Sequence, residues 1–156
     1  MIFDLIILDM LENMQIKKIH TLEKIIVFKL NQQGWDLKWT GGEYEHYDAK
    51  GFTKKKKKCV IEMKFRKDYY IEKLLEKYKY DKLIKLNNDI IKIYLVCDSK
   101  ATYFFWLDNI KLSEVRSINC PQTTLWETKT ISKEVYFLDE KLSSYINEDL
   151  NLNNLI

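Results

Sequence analysis

Cys59-Val60-Ile61-Glu62-Met63-Lys64-Phe65 is a short apolar run, rich in β-branched residues and closed by Arg66-Lys67, and it reads as a strand. Side chains alternate faces along a strand, so Ile61, Met63 and Phe65 project to one side and Glu62 and Lys64 to the other. A carboxylate and an ammonium on a core strand are costly unless they have partners or chemistry to perform. Upstream, Glu43 to Tyr47 also reads as a strand, and Asp48 stands at its end, fourteen positions before Glu62. If these two strands are neighbours in one sheet, Asp48, Glu62 and Lys64 converge at one edge of it.

Such a convergence has a chemical use. Two carboxylates suit a hard divalent cation, and Mg2+ takes one or two carboxylates with water and phosphate oxygens rather than a closed protein cage. The cation polarises a phosphoryl oxygen and lowers the pKa of its bound water. A neighbouring lysine can orient that water or stabilise charge developing on the phosphate. The competing reading of Glu62 and Lys64 is an ordinary same-face pair worth under ~1 kcal/mol. The upstream Asp48, the basic run between and the apolar strand weigh for the metal site.

The order Asp48, a variable gap, then Glu62-x-Lys64 resembles the signature of the PD-(D/E)xK nuclease superfamily. Asp48 takes the place of the motif's Asp, Glu62 of its acidic residue and Lys64 of its Lys; Tyr47 stands where the motif has Pro. The resemblance implies an α/β fold with a restriction-endonuclease-like core, a mixed central β-sheet flanked by helices. It also implies a Mg2+-dependent endonuclease acting on DNA, with Mn2+ as a substitute. Many members carry a further Glu on the first helix, facing the metal, and Glu23 is the candidate; Glu12 is less well placed. Helical Glu, then Asp, then Glu-x-Lys is similar to the archaeal Holliday-junction resolvases as well. The metal set implied is Asp48, Glu62 and Glu23, with Lys64 completing the catalytic set.

Composition bounds the rest. The chain has 156 residues, which suits one packed domain, and 46% hydrophobic residues with a single proline, which argues against disorder. Net charge is only +3, but Lys54, Lys55, Lys56, Lys57 and Lys58 form an unbroken run, followed by Arg66 and Lys67. Such a run is ordinarily a solvated, mobile loop; beside a phosphate-cleaving site it is what a nucleic-acid backbone meets. Three scattered cysteines without a Cys-x-x-Cys pair point to a reducing, cytoplasmic compartment. Ile2 to Met10 is interrupted by Asp4 and Asp9 and reads as neither signal peptide nor membrane span.

Along the chain, Met1 to Asn13 fits a strand or a short helix, and Ile16 to Gln33 an amphipathic helix stopped by Gly34. Trp35, Leu37 and Trp39 alternate as a strand, Gly41-Gly42 makes a hairpin turn, and Glu43 to Asp48 returns antiparallel. On that return strand Tyr44 and His46 share the face of Asp48, while Glu45 points away. Ile71 to Leu86 predicts a second helix, and in this superfamily that helix often aims a polar residue at the substrate phosphate; Lys79 is the candidate. Ile90 to Cys97 reads as a strand covered on both faces, and Thr102 to Leu107 as its hairpin partner.

The resemblance covers about residues 16–107, leaving 108–156 as an extension. There Asn109 to Arg116 suggests a short helix, Cys120 to Trp126 a loop, and Val135 to Leu138 a further apolar stretch before a polar tail. The Cys120-Pro121-x-Thr123-Thr124 segment is similar to one in small phage-encoded members of the superfamily. No aromatic stacking platform for single-stranded RNA stands out, which favours DNA over RNA. Cutting both strands would take a homodimer, for which the Tyr103–Trp106 hairpin is the candidate face. The alternative function is a non-catalytic nucleic-acid-binding module, or an interaction protein, that keeps the fold.

Overall fold

The computed structural model describes residues 2–41, 46–121 and 130–155, with the side chains of 2–9, 11–13, 15 and 121 excepted. Helix α1 runs over Ile2–Gln32, longer at its start than the periodicity from Ile16 predicts. No glycine or proline lies within it to stop the helix, so it continues to the N-terminal end. Among its described side chains, Leu22, Ile26, Val27 and Leu30 form the buried apolar stripe. Gly34, at φ +101°, ends it as expected. Asn31 then ties helix to sheet: its Nδ2 donates to the Leu37 carbonyl at 2.9 Å and its Oδ1 accepts the Leu37 N–H at 2.8 Å.

Three antiparallel strands follow, β1 (Asp36–Trp39), β2 (Ala49–Phe52) and β3 (Lys58–Phe65). The meander is as expected, but its middle strand lies later than Glu43 to Asp48. The reason is Gly51, which pairs with Leu37 so closely that a Cβ there would sit 1.9 Å from the Asp36 carbonyl oxygen. Only glycine permits that approach, and it draws the pairing onto residues 49–52. Gly42 to Glu45, and with them the placement of Tyr44 and Glu45, lie outside the described residues. His46 falls in a bend, not on a strand.

The lysine run is not a loose loop. Thr53, buried, donates its N–H to the Lys57 carbonyl at 2.8 Å, accepts the Lys56 N–H at 2.8 Å, and offers its hydroxyl oxygen to the Lys57 N–H at 3.2 Å. Lys56 takes φ +64° to close this turn.

The predicted helix over Ile71 to Leu86 splits. Its first half is strand β4 (Glu72–Glu76), and only Lys77–Ile84 is helical, α2. Leucines at 74 and 75 satisfy either period, and pairing decides: β4 lies antiparallel to β8 (Thr130–Asp139), burying Lys73 and Leu75 in alternation. Buried Lys73 is satisfied by Asp98 at 3.0 Å and lies over the Tyr103 ring at 3.9 Å.

Strands β5 (Ile91–Cys97) and β6 (Thr102–Trp106) form the expected hairpin, β5 parallel to β3. The main sheet has the order β1-β2-β3-β5-β6-β9, where β9 is Tyr145–Asn147; a second sheet, β4-β8-β7, includes β7 (Arg116–Pro121). α1 covers one face of the main sheet through Leu22, Ile26, Ile61, Met63, Ile93 and Phe104. The second sheet and α2 cover the other through Leu75, Leu83, Tyr94, Phe105 and Leu138.

The C-terminal residues are less separate than their composition suggests. In place of a helix over Asn109 to Arg116 there is a 3-10 turn over Leu107–Asn109 and then the start of β7, because Arg116 to Pro121 pairs with β8. The last helix, α3 (Leu152–Leu155), brings Leu155 into the main core beside Leu150, whose carbonyl accepts the Thr102 hydroxyl at 2.5 Å. Residues 122–129, with most of the Cys120 to Trp126 loop, lie outside the described residues. The Tyr103–Trp106 hairpin is no dimer face: Tyr103, Phe104 and Phe105 are fully buried within the chain. Among the described residues no helix is long and apolar enough to cross a membrane.

Candidate active site

The last β2–β3 pair is Ala49 with Ile61. Just before it, the Asp48 N–H donates to the Ile61 carbonyl at 2.8 Å. The Asp48 side chain then takes over where a strand would have continued: its Oδ2 accepts the Met63 N–H at 2.8 Å. β3 thus has an edge, from Glu62 onward, that a carboxylate closes instead of a backbone.

Glu62 points to the face opposite Met63, toward α2, where Lys79 forms an ion pair with its Oε1. Glu23 reaches the same edge from α1, held by the indole N–H of Trp39 at 2.8 Å. All three carboxyls are buried: Glu23 is 4% exposed, Asp48 9% and Glu62 5%. Three acidic groups therefore share one buried edge with the Lys79 ammonium.

Their acidities show the strain of that arrangement. Burial, and then the charge of Asp48, push the Glu23 carboxyl up to about 7. Burial and Asp48 likewise push Glu62 up to about 7, with Lys79 opposing. Burial also raises Asp48, partly offset by the Met63 N–H, by Lys79 and by a hydrogen bond from Glu62. Asp48 and Glu62 are in hydrogen-bond contact, and the charge of each acts on the other's proton. Lys64 lies on the Glu62 face in a small hollow with Arg66, Glu76, Lys79 and Tyr94. Burial, with Arg66 and Lys79 nearby, lowers it to about 8.

Among the described residues no three acidic, histidine or cysteine side chains close on one point tightly enough to enclose an ion alone. The donor set fits the open mode that Mg2+ uses, two carboxylates with the remaining positions left to water and phosphate. Fully ionised, it also carries more negative charge than Lys79 balances. Asp48 and Glu62 could hold such an ion, with Glu23 beside them.

A consequence follows for stability in EDTA. An unfolded glutamate loses its proton near 4.5, whereas Glu23 in the folded protein keeps it to about 7. Between those values the folded state binds more protons, so stability falls as pH rises from about 4.5 to about 7, then levels. A shift of this size corresponds to roughly 3 kcal/mol for one group. Melting curves in EDTA should show that decline, flattened in Glu23→Gln, and Mg2+ added at pH 8 should restore stability. A wild-type Tm that holds level from pH 5 to 7 would contradict it.

The structure brings Asp48, Glu62, Glu23 and Lys79 together, with Lys64 adjoining. Lys79 stands closer to the acidic groups than a solvated helix lysine would. Arg66 adjoins Lys64, and Lys67 is exposed beyond it. The lysine run does not join them. Lys58 begins β3, and four residues of strand put it about 13 Å from Glu62. Lys38, Lys50 and Lys58, on the Glu62 face of the meander, line a hollow with Tyr47 and Val60. His20 and Lys24 also adjoin the site, and no sequence motif marks them. His20 packs edge-on against Trp39 at 5.3 Å, within range of the Asp48 charge, and Lys24 covers Trp39 at 4.3 Å. His20 stands one helical turn before Glu23, a spacing legible in the sequence once Glu23 is suspected.

The architecture is a mixed central sheet flanked by helices, with one long helix on its first face. Among solved structures it is similar to Hjc, a Holliday junction resolvase from the archaeal hyperthermophile Archaeoglobus fulgidus, with a TM-score of 0.55. The match covers 81% of this chain and 88% of that one at 14% identity, so the likeness is one of fold. No protein-family model matches the chain, and no curated protein does.

Proposed function

We propose that the protein is a Mg2+-dependent endonuclease that hydrolyses phosphodiester bonds in DNA, with branched DNA as the favoured substrate. The observation that carries this reading is the buried carboxylate edge: Asp48, Glu62 and Glu23 from three separate elements, two of them raised to about 7, beside Lys64. A module that only bound nucleic acid would have no use for acidic groups that repel its ligand and cost stability. The branched substrate is suggested by the resolvase whose fold this chain shares.

In this reading Asp48 and Glu62 hold the cation, and Glu23 orients it or holds a second. When bound, the cation supplies charge neutralisation at the scissile phosphate and a more acidic water. Lys64, lowered to about 8, is a cation at neutral pH that gives up its proton readily. It positions the attacking water or stabilises the transition-state charge. Lys79 neutralises Glu62 and, in this reading, also meets the substrate phosphate. Lys38, Lys50, Lys58, Arg66 and Lys67 provide the surrounding basic surface. Cutting both strands of a junction calls for two such sites, hence a homodimer.

Cleavage of labelled linear duplex, single strand, flap and four-way junction tests the proposal with Mg2+, Mn2+ or EDTA. Either ion should support cutting and EDTA should stop it. Lys64→Ala should lose about 100-fold in rate while keeping its metal requirement. Salt-sensitive binding with no cutting under either ion would replace the enzyme with a binding module.

A further inference from the structure

At the end of the main sheet away from the carboxylate edge lies a groove of about 950 Å³. Lys54, Lys55 and Lys57 form one wall, and Trp35, Trp106 and Tyr145 contribute aromatic faces. These aromatics come from three distant parts of the chain, which is why no platform stands out in the sequence. We infer that this groove binds unpaired nucleotides of a nucleic-acid strand, the lysines taking phosphates and the aromatic side chains stacking bases. The inference rests on the nucleic-acid half of the proposed function and not on its cleavage half.

Both walls are positioned in advance. The Thr53–Lys57 turn is pinned by the hydrogen bonds described above, and the stem of Lys54 lies over Gly34, its Cγ 3.4 Å from where a Cβ would be. Trp35 stacks on buried Phe104 with centroids 5.9 Å apart, and Tyr145 packs on the same ring at 5.3 Å while remaining 48% exposed. Fixed side chains lose less entropy on binding. The acidic group in the groove is already committed: Asp108 accepts from the Lys92 ammonium at 3.2 Å and from its backbone N–H at 3.0 Å. The groove therefore presents net positive charge.

Charge and aromatic faces together select the ligand class. Phosphates alone would satisfy the lysines, but a duplex keeps its base faces stacked inside and offers nothing to Trp106 or Tyr145. An unpaired strand offers both. Its bases stack on any aromatic face, so recognition here tolerates sequence.

Tryptophan fluorescence of the full chain in EDTA tests this, titrating a ten-nucleotide oligothymidylate, a blunt duplex of equal length and thymidine triphosphate. The oligothymidylate should quench and bind more tightly than the other two. Tyr145→Ala should weaken it about tenfold or more. The triple variant K54A/K55A/K57A, confined to exposed side chains, should reduce the slope of log affinity against log salt by about 2. Triphosphate binding as tightly as the oligomer would make this a free-nucleotide site and overturn the assignment. So would equal affinity for duplex, or indifference of the oligomer to both variants. Groove binding without metal-dependent cleavage would sink the nuclease alone; cleavage without groove binding would sink this inference alone.

Discussion

A Glu62→Gln protein is expected to fold like the wild type and to cut DNA about 100- to 1,000-fold more slowly in Mg2+. Glutamine keeps the shape of the side chain and an oxygen for Lys79, so packing toward α2 survives. What it removes is the charge. The carboxyl is 5% exposed and already raised to about 7, so losing it relieves repulsion with Asp48. In EDTA at pH 8 the variant should therefore melt no lower than the wild type. Activity lost with stability kept would separate a working group from a structural one. Single-turnover cleavage alongside thermal melting reads both, and a rate within tenfold of wild type would remove Glu62 from the chemistry.

The largest expected loss of stability comes from Gly51→Ala. Gly51 has φ +150°, and the added Cβ would meet the Asp36 oxygen at 1.9 Å, its carbonyl carbon at 2.9 Å and the Leu37 Cα at 3.0 Å. All three are backbone atoms and cannot rotate away. β1 has to move off β2, at a cost of about 3 kcal/mol or more. For a chain of this length that lowers Tm by roughly 10 °C. The site should fail as well, since Asp48 directly precedes β2 and Glu23 depends on Trp39 of β1. A change in Tm below 2 °C would show that the two strands separate easily, contrary to the pairing described.

Much of the core was legible because its signals are local. Cys59 to Phe65 and Ile90 to Cys97 are apolar runs of strand length, and both are strands. Alternation placed Glu62 and Lys64 on one face, away from Ile61 and Met63, and the two core clusters divide along that line. Pairing was harder to read. Glu72 to Glu76 carries leucines that suit a helix, and only its partner β8, about 60 residues away, makes it a strand. The second sheet was invisible for the same reason. Alternation of polar and aromatic residues through Glu43 to Asp48 points to a return strand earlier than the real one, while the close approach at Gly51 exists only in three dimensions.

The candidate site divides in a similar way. Asp48, Glu62 and Lys64 stand in a recognisable order, so their meeting could be anticipated. The sequence points to Lys79 through its helix but says nothing of its ion pair with Glu62. His20, Trp39 and Lys24 became visible only when α1 was laid against the end of β1. The lysine run drew attention by composition, yet composition says nothing of direction, and its turn faces the aromatic groove.

On the proposed function, the buried edge formed by Asp48, Glu62 and Glu23 holds a divalent cation. Electron paramagnetic resonance of Mn2+ titrated into the full chain measures this directly. Asp48→Asn serves as the control, because asparagine can still accept the Met63 N–H and keep the strand edge closed. At least one tightly held Mn2+ per chain is expected in the wild type, and its loss in Asp48→Asn. A wild type that leaves all Mn2+ free, or a variant that binds it undiminished, would mean that this edge is not a metal site.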